Sequence, residues 1–168
     1  IEYRLEDVPG LVEGKQLWVK GKNIMLGYML HDNPGELVPP AEGWHDTGDI
    51  VTVDSQGFVT IVGRAKRFAK IGGELVSLTA VEELASEVWP GVMHACLSRV
   101  HAQKGEELVL ITEKEDADWK ELRTYARKQG MGELFIPKIV RPIKRIALLG
   151  SGKPDYVTLD EQLKAGEI

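Results

Sequence analysis

Apolar and polar positions along the 168-residue chain follow two rhythms. Up to about residue 63 the period is two. Gln16-Leu17-Trp18-Val19-Lys20 alternates as a half-buried strand does. Ile50-Val51-Thr52-Val53 and Phe58-Val59-Thr60-Ile61-Val62 flank the turn sequence Asp54-Ser55-Gln56-Gly57, which predicts a hairpin over 49–62. Asn33-Pro34-Gly35 and Pro39-Pro40 punctuate the loop before it. Segment 1–63 therefore reads as β-rich, too small and open for a complete domain, and suited to be the last sheet of a larger body.

From Arg64 onward strands and helices alternate. Phe68-Ala69-Lys70-Ile71 and Leu75-Val76 flank Gly72-Gly73. Val81, Leu84, Ala85 and Val88 then fall on one helical stripe, with Thr79 and Glu82 in capping-box spacing before it and Pro90-Gly91 after it. Residues 92–100 and 108–112 read as strands joined by a loop at Gln103-Lys104-Gly105. A second helix is predicted from the cap Asp118 to Gly130, a strand over 138–149 placed at an edge by Pro142, and a last short helix capped by Thr158. The whole predicts an α+β protein: a small C-terminal α/β sandwich, 64–168, preceded by a β-rich remnant, 1–63.

Composition adds few exclusions. Hydrophobic content of 43%, charged content of 28% and a net charge of −5 suit a soluble globular chain and argue against general nucleic-acid binding. Charge is uneven: Arg64, Lys66, Arg67 and Lys70 form one basic cluster, and Lys138, Arg141, Lys144, Arg145 and Lys153 another. The single cysteine, Cys96, lies in an apolar run, excludes an intrachain disulfide and reads as a buried thiol. No apolar run approaches the ~20 residues of a membrane span. The opening Ile1-Glu2-Tyr3-Arg4 carries no signal-peptide pattern and reads as a cut inside a longer protein.

Three short motifs carry the candidate chemistry. Trp44-His45-Asp46-Thr47-Gly48-Asp49 ends in a carboxylate that can accept hydrogen bonds from a diol. Gly63-Arg64-Ala65-Lys66 offers a forked cation for ribose or phosphate oxygens. Leu148-Leu149-Gly150-Ser151-Gly152-Lys153-Pro154 mounts a lysine on a tight turn. The last is not a phosphate-binding P-loop, because Ala147 stands where a glycine is needed and Pro154 where Ser or Thr is. His45, Asp46 and Asp49 are too few and too local for a metal site. His94 and His101 read as strand and loop residues, and Trp18, Trp44, Trp89 and Trp119 as core or capping aromatics rather than base-stacking platforms.

In this order the motifs resemble those of the adenylate-forming superfamily of acyl-CoA synthetases, luciferases and peptide-synthetase adenylation domains, over the C-terminal third of such an enzyme. Gly63 to Ile71 and Leu148 to Asp155, with Asn23-Ile24-Met25-Leu26-Gly27-Tyr28, look like the acyl-acyl carrier protein synthetase half of a bacterial bifunctional enzyme that also has 2-acylglycerophosphoethanolamine acyltransferase activity. The resemblance implies ribose binding by Asp49, nucleotide contact by Arg64, and a hinge at Lys66. It implies a loop on the pantetheine side at Gly72, Gly73 and Val76, and a catalytic Lys153 that bridges the acyl carboxylate and the α-phosphate. Leu78, Ala80 and Tyr156 depart from common family residues. Segments 1–63 and 64–168 would be the end of an AMP-binding domain and the mobile C-terminal domain.

The implied function is an AMP-forming ligase that uses ATP and Mg²⁺ to activate a fatty acid and passes it to the phosphopantetheine thiol of acyl carrier protein. Coenzyme A is the alternative acceptor, and a non-catalytic basic module the alternative of another class. Arg67, Lys70, Lys138 and Arg145 are candidate contacts to an acidic carrier protein. The whole enzyme would work at the cytoplasmic face of the inner membrane, with this segment soluble. Alone, without the phosphate loop and acyl pocket of its missing N-terminal AMP-binding domain, the segment is expected to be inactive and to bind neither ATP nor metal.

Overall fold

The computed structural model describes residues 1–103 and 105–168; the loop expected at Gln103-Lys104-Gly105 includes Lys104, which lies outside the described residues. The chain divides into two units, Ile1–Lys66 and Arg67–Ile168. The division falls after the boundary at 63/64 expected from the sequence. Strand pairing explains the offset, because the last strand of the first unit runs on through Arg64.

The first unit is built from β1 (Glu2–Glu6), β2 (Lys15–Lys20), β3 (Tyr28–Met29), β4 (Leu37–Val38), β5 (His45–Val53) and β6 (Val59–Arg64). Its main sheet is antiparallel in the order β1-β2-β5-β6, and β3 pairs with β4 as a separate ribbon. The expected hairpin is the β5–β6 pair. Asp54 closes its turn, its Oδ1 accepting from the N–H groups of Gln56 and Phe58, both at 2.9 Å. Among the described residues of this unit only Ile50 and Val51 are buried, while Leu26, Phe58 and Ile61 stay largely exposed.

The second unit contains β7 (Phe68–Ile71), β8 (Glu74–Ser77), α1 (Leu78–Val88), β9 (His94–His101), β10 (Gly105–Thr112), α2 (Trp119–Lys128), β11 (Ile139–Pro142) and α3 (Tyr156–Ala165). The strands form one mixed sheet in which β10 pairs with β9 on one side and with β7 and β11 on the other. Side chains alternate across it. Cys96, Leu108 and Leu110 pack with Val81, Leu84 and Ala85 of α1 and Leu122 and Ala126 of α2. Ala95, Leu97 and Ile111 pack with Ile146 and with Leu159 of α3. The result is a sheet covered on both faces, the α/β sandwich that the pattern predicts.

Local details correct several expectations. Helix α1 is capped by Ser77, whose hydroxyl accepts from the Ala80 N–H at 3.2 Å, and not by Thr79. Helix α3 is capped by Asp155, which accepts from Val157 and Thr158, and not by Thr158. The strand expected over 138–149 is confined to Ile139–Pro142, parallel to β10; Pro142 does lie at an edge. His101 ends strand β9 rather than lying in a loop. Among the described residues no helix is long and apolar enough to cross a membrane.

Candidate functional site

In the first unit Thr47-Gly48-Asp49 makes a tight start to β5. The Thr47 hydroxyl donates to the Leu17 carbonyl at 2.8 Å and accepts from the Asp49 N–H at 3.1 Å, while Asp46 accepts from the Gly48 N–H at 2.8 Å. Asp49 sits opposite Arg64 in the β5–β6 register, and a bulge at the next position shifts the ladder there. The Arg64 Nε meets Asp49 Oδ1 at 3.0 Å, and its Nη1 donates to the Thr47 carbonyl at 2.7 Å. The arginine side chain is 63% exposed and the aspartate 15%. Among the described residues nothing bonds Asp49 Oδ2, so an acceptor oxygen and the outer edge of a guanidinium lie side by side. That donor and acceptor set fits a ribose diol next to phosphate oxygens.

Lys66 is exposed in a short 3₁₀ turn, Ala65–Arg67, and is the last residue of the first unit. Gly72 and Gly73 form the two-residue turn between β7 and β8, with φ of +61° and +95°. A Cβ at either would meet no atom within 4 Å, so the turn needs glycine for its left-handed backbone and not for space. Val76 follows in β8, is 1% exposed and packs in the core with residues of α1.

Lys153 rides a small hairpin. Leu148 and Pro154 form an antiparallel bridge, the Leu149 N–H donates to the Lys153 carbonyl at 2.8 Å, and the Gly152 N–H donates to the Leu149 carbonyl at 2.9 Å. The Asp155 N–H donates to the Ala147 carbonyl at 2.8 Å. The backbone of Lys153 is thus fixed, while its side chain is exposed and makes no ion pair among the described residues. A pinned backbone with a free ammonium suits a cation that must reach outward.

Arg67 is not a docking contact. Its Nη2 lies 2.6 Å from Glu82 Oε1, its Nη1 donates to the Cys96 carbonyl at 3.1 Å, and its guanidinium stacks 3.8 Å from the centre of the Tyr156 ring. Its side chain is only 16% exposed, whereas Lys70, Lys138, Arg141, Lys144 and Arg145 remain exposed. Glu82 and Tyr156 escaped the sequence reading, which assigned Glu82 to a helix cap. A carboxylate bordering the apolar stripe of α1 was the available signal. Burial pushes the Tyr156 hydroxyl up to about 12, helped by the charge of Glu82, so it stays a neutral donor. Cys96 is fully buried and its thiol is pushed well above the ordinary range, first by burial, which makes it inert. Among the described residues no three His, Cys, Asp or Glu side chains converge as metal ligands.

No protein-family profile matches the chain. It is 31% identical over 172 residues to a long-chain-fatty-acid–CoA ligase of Yersinia pestis, covering 98% of this chain and 30% of that protein. It is 27% identical over 150 residues to enterobactin synthase component E of Escherichia coli, covering 88% of this chain and 28% of the relative. ATP-bound MatB from Rhodopseudomonas palustris shares the fold with a TM-score of 0.73 at 24% identity, over 97% of this chain and 34% of that one. The chain thus spans about a third of the length of these proteins. Its homologues are acyl-CoA ligases and other adenylate-forming enzymes, and the likeness to them supports that superfamily.

Proposed function

We propose that this chain is the C-terminal part of an AMP-forming acyl ligase, with 1–66 closing the nucleotide-binding body and 67–168 forming the domain that swings about Lys66. In the first half-reaction a fatty acid carboxylate oxygen attacks the α-phosphorus of ATP and pyrophosphate leaves. Asp49 accepts from the ribose hydroxyls and Arg64 faces the nucleotide beside it. Lys153 stands between two anions that would otherwise repel, and holds them as charge develops. In the second half-reaction a thiol sulfur attacks the acyl carbon, AMP departs and the thiol proton is released; the Gly72-Gly73 turn approaches the pantetheine arm. Mg²⁺ would accompany ATP and offset its phosphate charge. The observation that carries this reading is Lys153, whose hairpin backbone is hydrogen-bonded while its exposed ammonium has no ion-pair partner among the described residues.

The test is Lys153→Ala in the full-length protein, read by fatty-acid-dependent exchange of pyrophosphate into ATP. A loss of about a hundredfold or more is expected, as for removal of one preorganised group facing transition-state charge. Undiminished exchange overturns the reading and favours a binding module. Two acceptors remain in play. The relative from Yersinia pestis is named for coenzyme A. The exposed basic residues Lys70, Lys138, Arg141, Lys144 and Arg145 suit an acidic acyl carrier protein. Thioester formation with each acceptor, and its loss with rising salt for the carrier protein, separates them.

A further inference from the structure

We propose that Arg67, Glu82 and Tyr156 form a latch along the free edge of β9 that holds the Lys153 hairpin in place, making Glu82 and Tyr156 positioning residues for that lysine. The inference rests on the reading of Lys153 given above. Among the described residues strand β9 has one strand neighbour, β10. On its other side the Cys96 N–H donates to Glu82 Oε1 at 2.7 Å, and the Cys96 carbonyl accepts from Arg67 Nη1 at 3.1 Å. Two side chains thus take the place of a further strand and satisfy the backbone of the edge. Tyr156 closes the assembly from the other side. Its hydroxyl donates toward both carboxylate oxygens of Glu82, at 3.1 and 3.2 Å, and its ring receives the Arg67 guanidinium.

The position of Tyr156 gives the latch its consequence. It is the first residue of α3, directly after the cap Asp155, whose N–H closes the hairpin onto Ala147. Lys153 lies in the same short stretch, with Pro154 bridged to Leu148. The phenol of Tyr156 on Glu82, a residue of α1 distant in sequence, anchors this end of the hairpin by a hydrogen bond, beside the stacking of its ring on Arg67 and the core packing of Ile146. Arg67, moreover, is the first residue of the second unit, so the latch ties the chain just beyond Lys66 to the base of the lysine hairpin. A hydroxyl that stays neutral over the working pH range is suited to so permanent a contact. Tyr156→Phe removes the hydroxyl but keeps the ring over Arg67.

The experiment uses the full-length protein with Tyr156→Phe, Lys153→Ala and the double variant, read by pyrophosphate exchange and by amide hydrogen exchange. Tyr156→Phe is expected to lower kcat for adenylation about tenfold, in line with loss of one hydrogen bond to a charged partner, with KM for ATP unchanged. In the Lys153→Ala background it should add nothing, because a residue that acts through Lys153 has nothing left to position. The Leu149, Gly152 and Asp155 amides should exchange faster in Tyr156→Phe, while those in the middle of β10 stay as protected as before. An equal fold-loss with and without Lys153, or unaltered hairpin exchange, overturns the latch. Should Lys153→Ala itself leave pyrophosphate exchange intact, the functional reading is what fails, and the amide data alone decide whether the latch holds the hairpin.

Discussion

Arg64 and Arg67 lie almost side by side in sequence and each meets one carboxylate, yet the two pairs behave as opposites. Arg64 reaches Asp49 at 3.0 Å with 63% of its side chain in solvent, whereas Arg67 reaches Glu82 at 2.6 Å with only 16% exposed. Among the described residues the first pair leaves Asp49 Oδ2 and Arg64 Nη2 without partners; the second spends its hydrogen bonds on Cys96 and Tyr156. Their surroundings explain the contrast. The sheet around Asp49 buries only Ile50 and Val51, while the sandwich around Glu82 packs side chains on both faces. An ion pair on a thin, solvated sheet can trade its partner for a ligand cheaply, because water already screens it. One wedged between a helix, a strand edge and an aromatic ring cannot, because each group it released would be left desolvated and unpaired.

The sharpest way to break this contrast is to remove one member of the closed pair. Glu82→Ala should cost about 3–5 kcal/mol in urea unfolding of the chain, since Arg67 keeps its charge with no carboxylate near it and the Cys96 N–H loses its acceptor. A cost under about 1 kcal/mol would mean that water enters the site freely and that the two pairs do not differ in kind. Next in size is the helix on which Glu82 stands. Ser77→Ala removes the cap of α1 and should cost about 1 kcal/mol, whereas Thr79→Ala should stay within about 0.5 kcal/mol. The reverse order would restore the capping box expected from the sequence.

That capping box shows where the sequence was readable and where it was not. The β5–β6 hairpin was legible because alternation and the Asp54–Gly57 turn are local signals, and the same holds for the Asp118 cap of α2. Thr79 and Glu82 have the right spacing for a cap, but Ser77 stands closer to the helix start and Glu82 has better partners far along the chain. Spacing cannot reveal a contact to Tyr156, because nothing near either residue encodes the other. Asp155 displaced Thr158 for a similar reason, since its backbone is already fixed by the hairpin onto Ala147. Of the candidate site, Asp49, Arg64, the Gly72-Gly73 turn and Lys153 lie where short motifs can present them, on turns and strand ends. The burial of Val76 and of Arg67 was not legible there, because burial is a property of the packed sheet rather than of the motif.

The open pair supplies a smaller effect on stability. Arg64→Ala should cost at most about 1 kcal/mol in unfolding, while KM for ATP in the full-length protein rises by a larger factor than kcat falls. A large loss of stability with unchanged KM would move Arg64 into the same class as Arg67.

The smallest effect vanishes at neutral pH and sharpens the regional contrast. His94 in the second unit is buried, with its ring nitrogens bonded to the Thr112 hydroxyl at 2.9 Å and the Trp89 carbonyl at 3.1 Å. Burial lowers its pKa below the ordinary 6.5, against the opposing pull of the Trp89 carbonyl and the charge of Glu113. The unfolded chain therefore takes up a proton on this residue before the folded chain does. The stability that His94 contributes is complete above pH 6.5 and is lost as pH falls from there through the lowered folded value. Urea midpoints of the chain should hold between pH 8 and 7 and decline toward pH 5.5, with His94→Gln flattening that decline. A midpoint that rises on acidification, or a decline unaltered by His94→Gln, would show that this imidazole is hydrated and that burial in the sandwich does not set the behaviour of its polar groups.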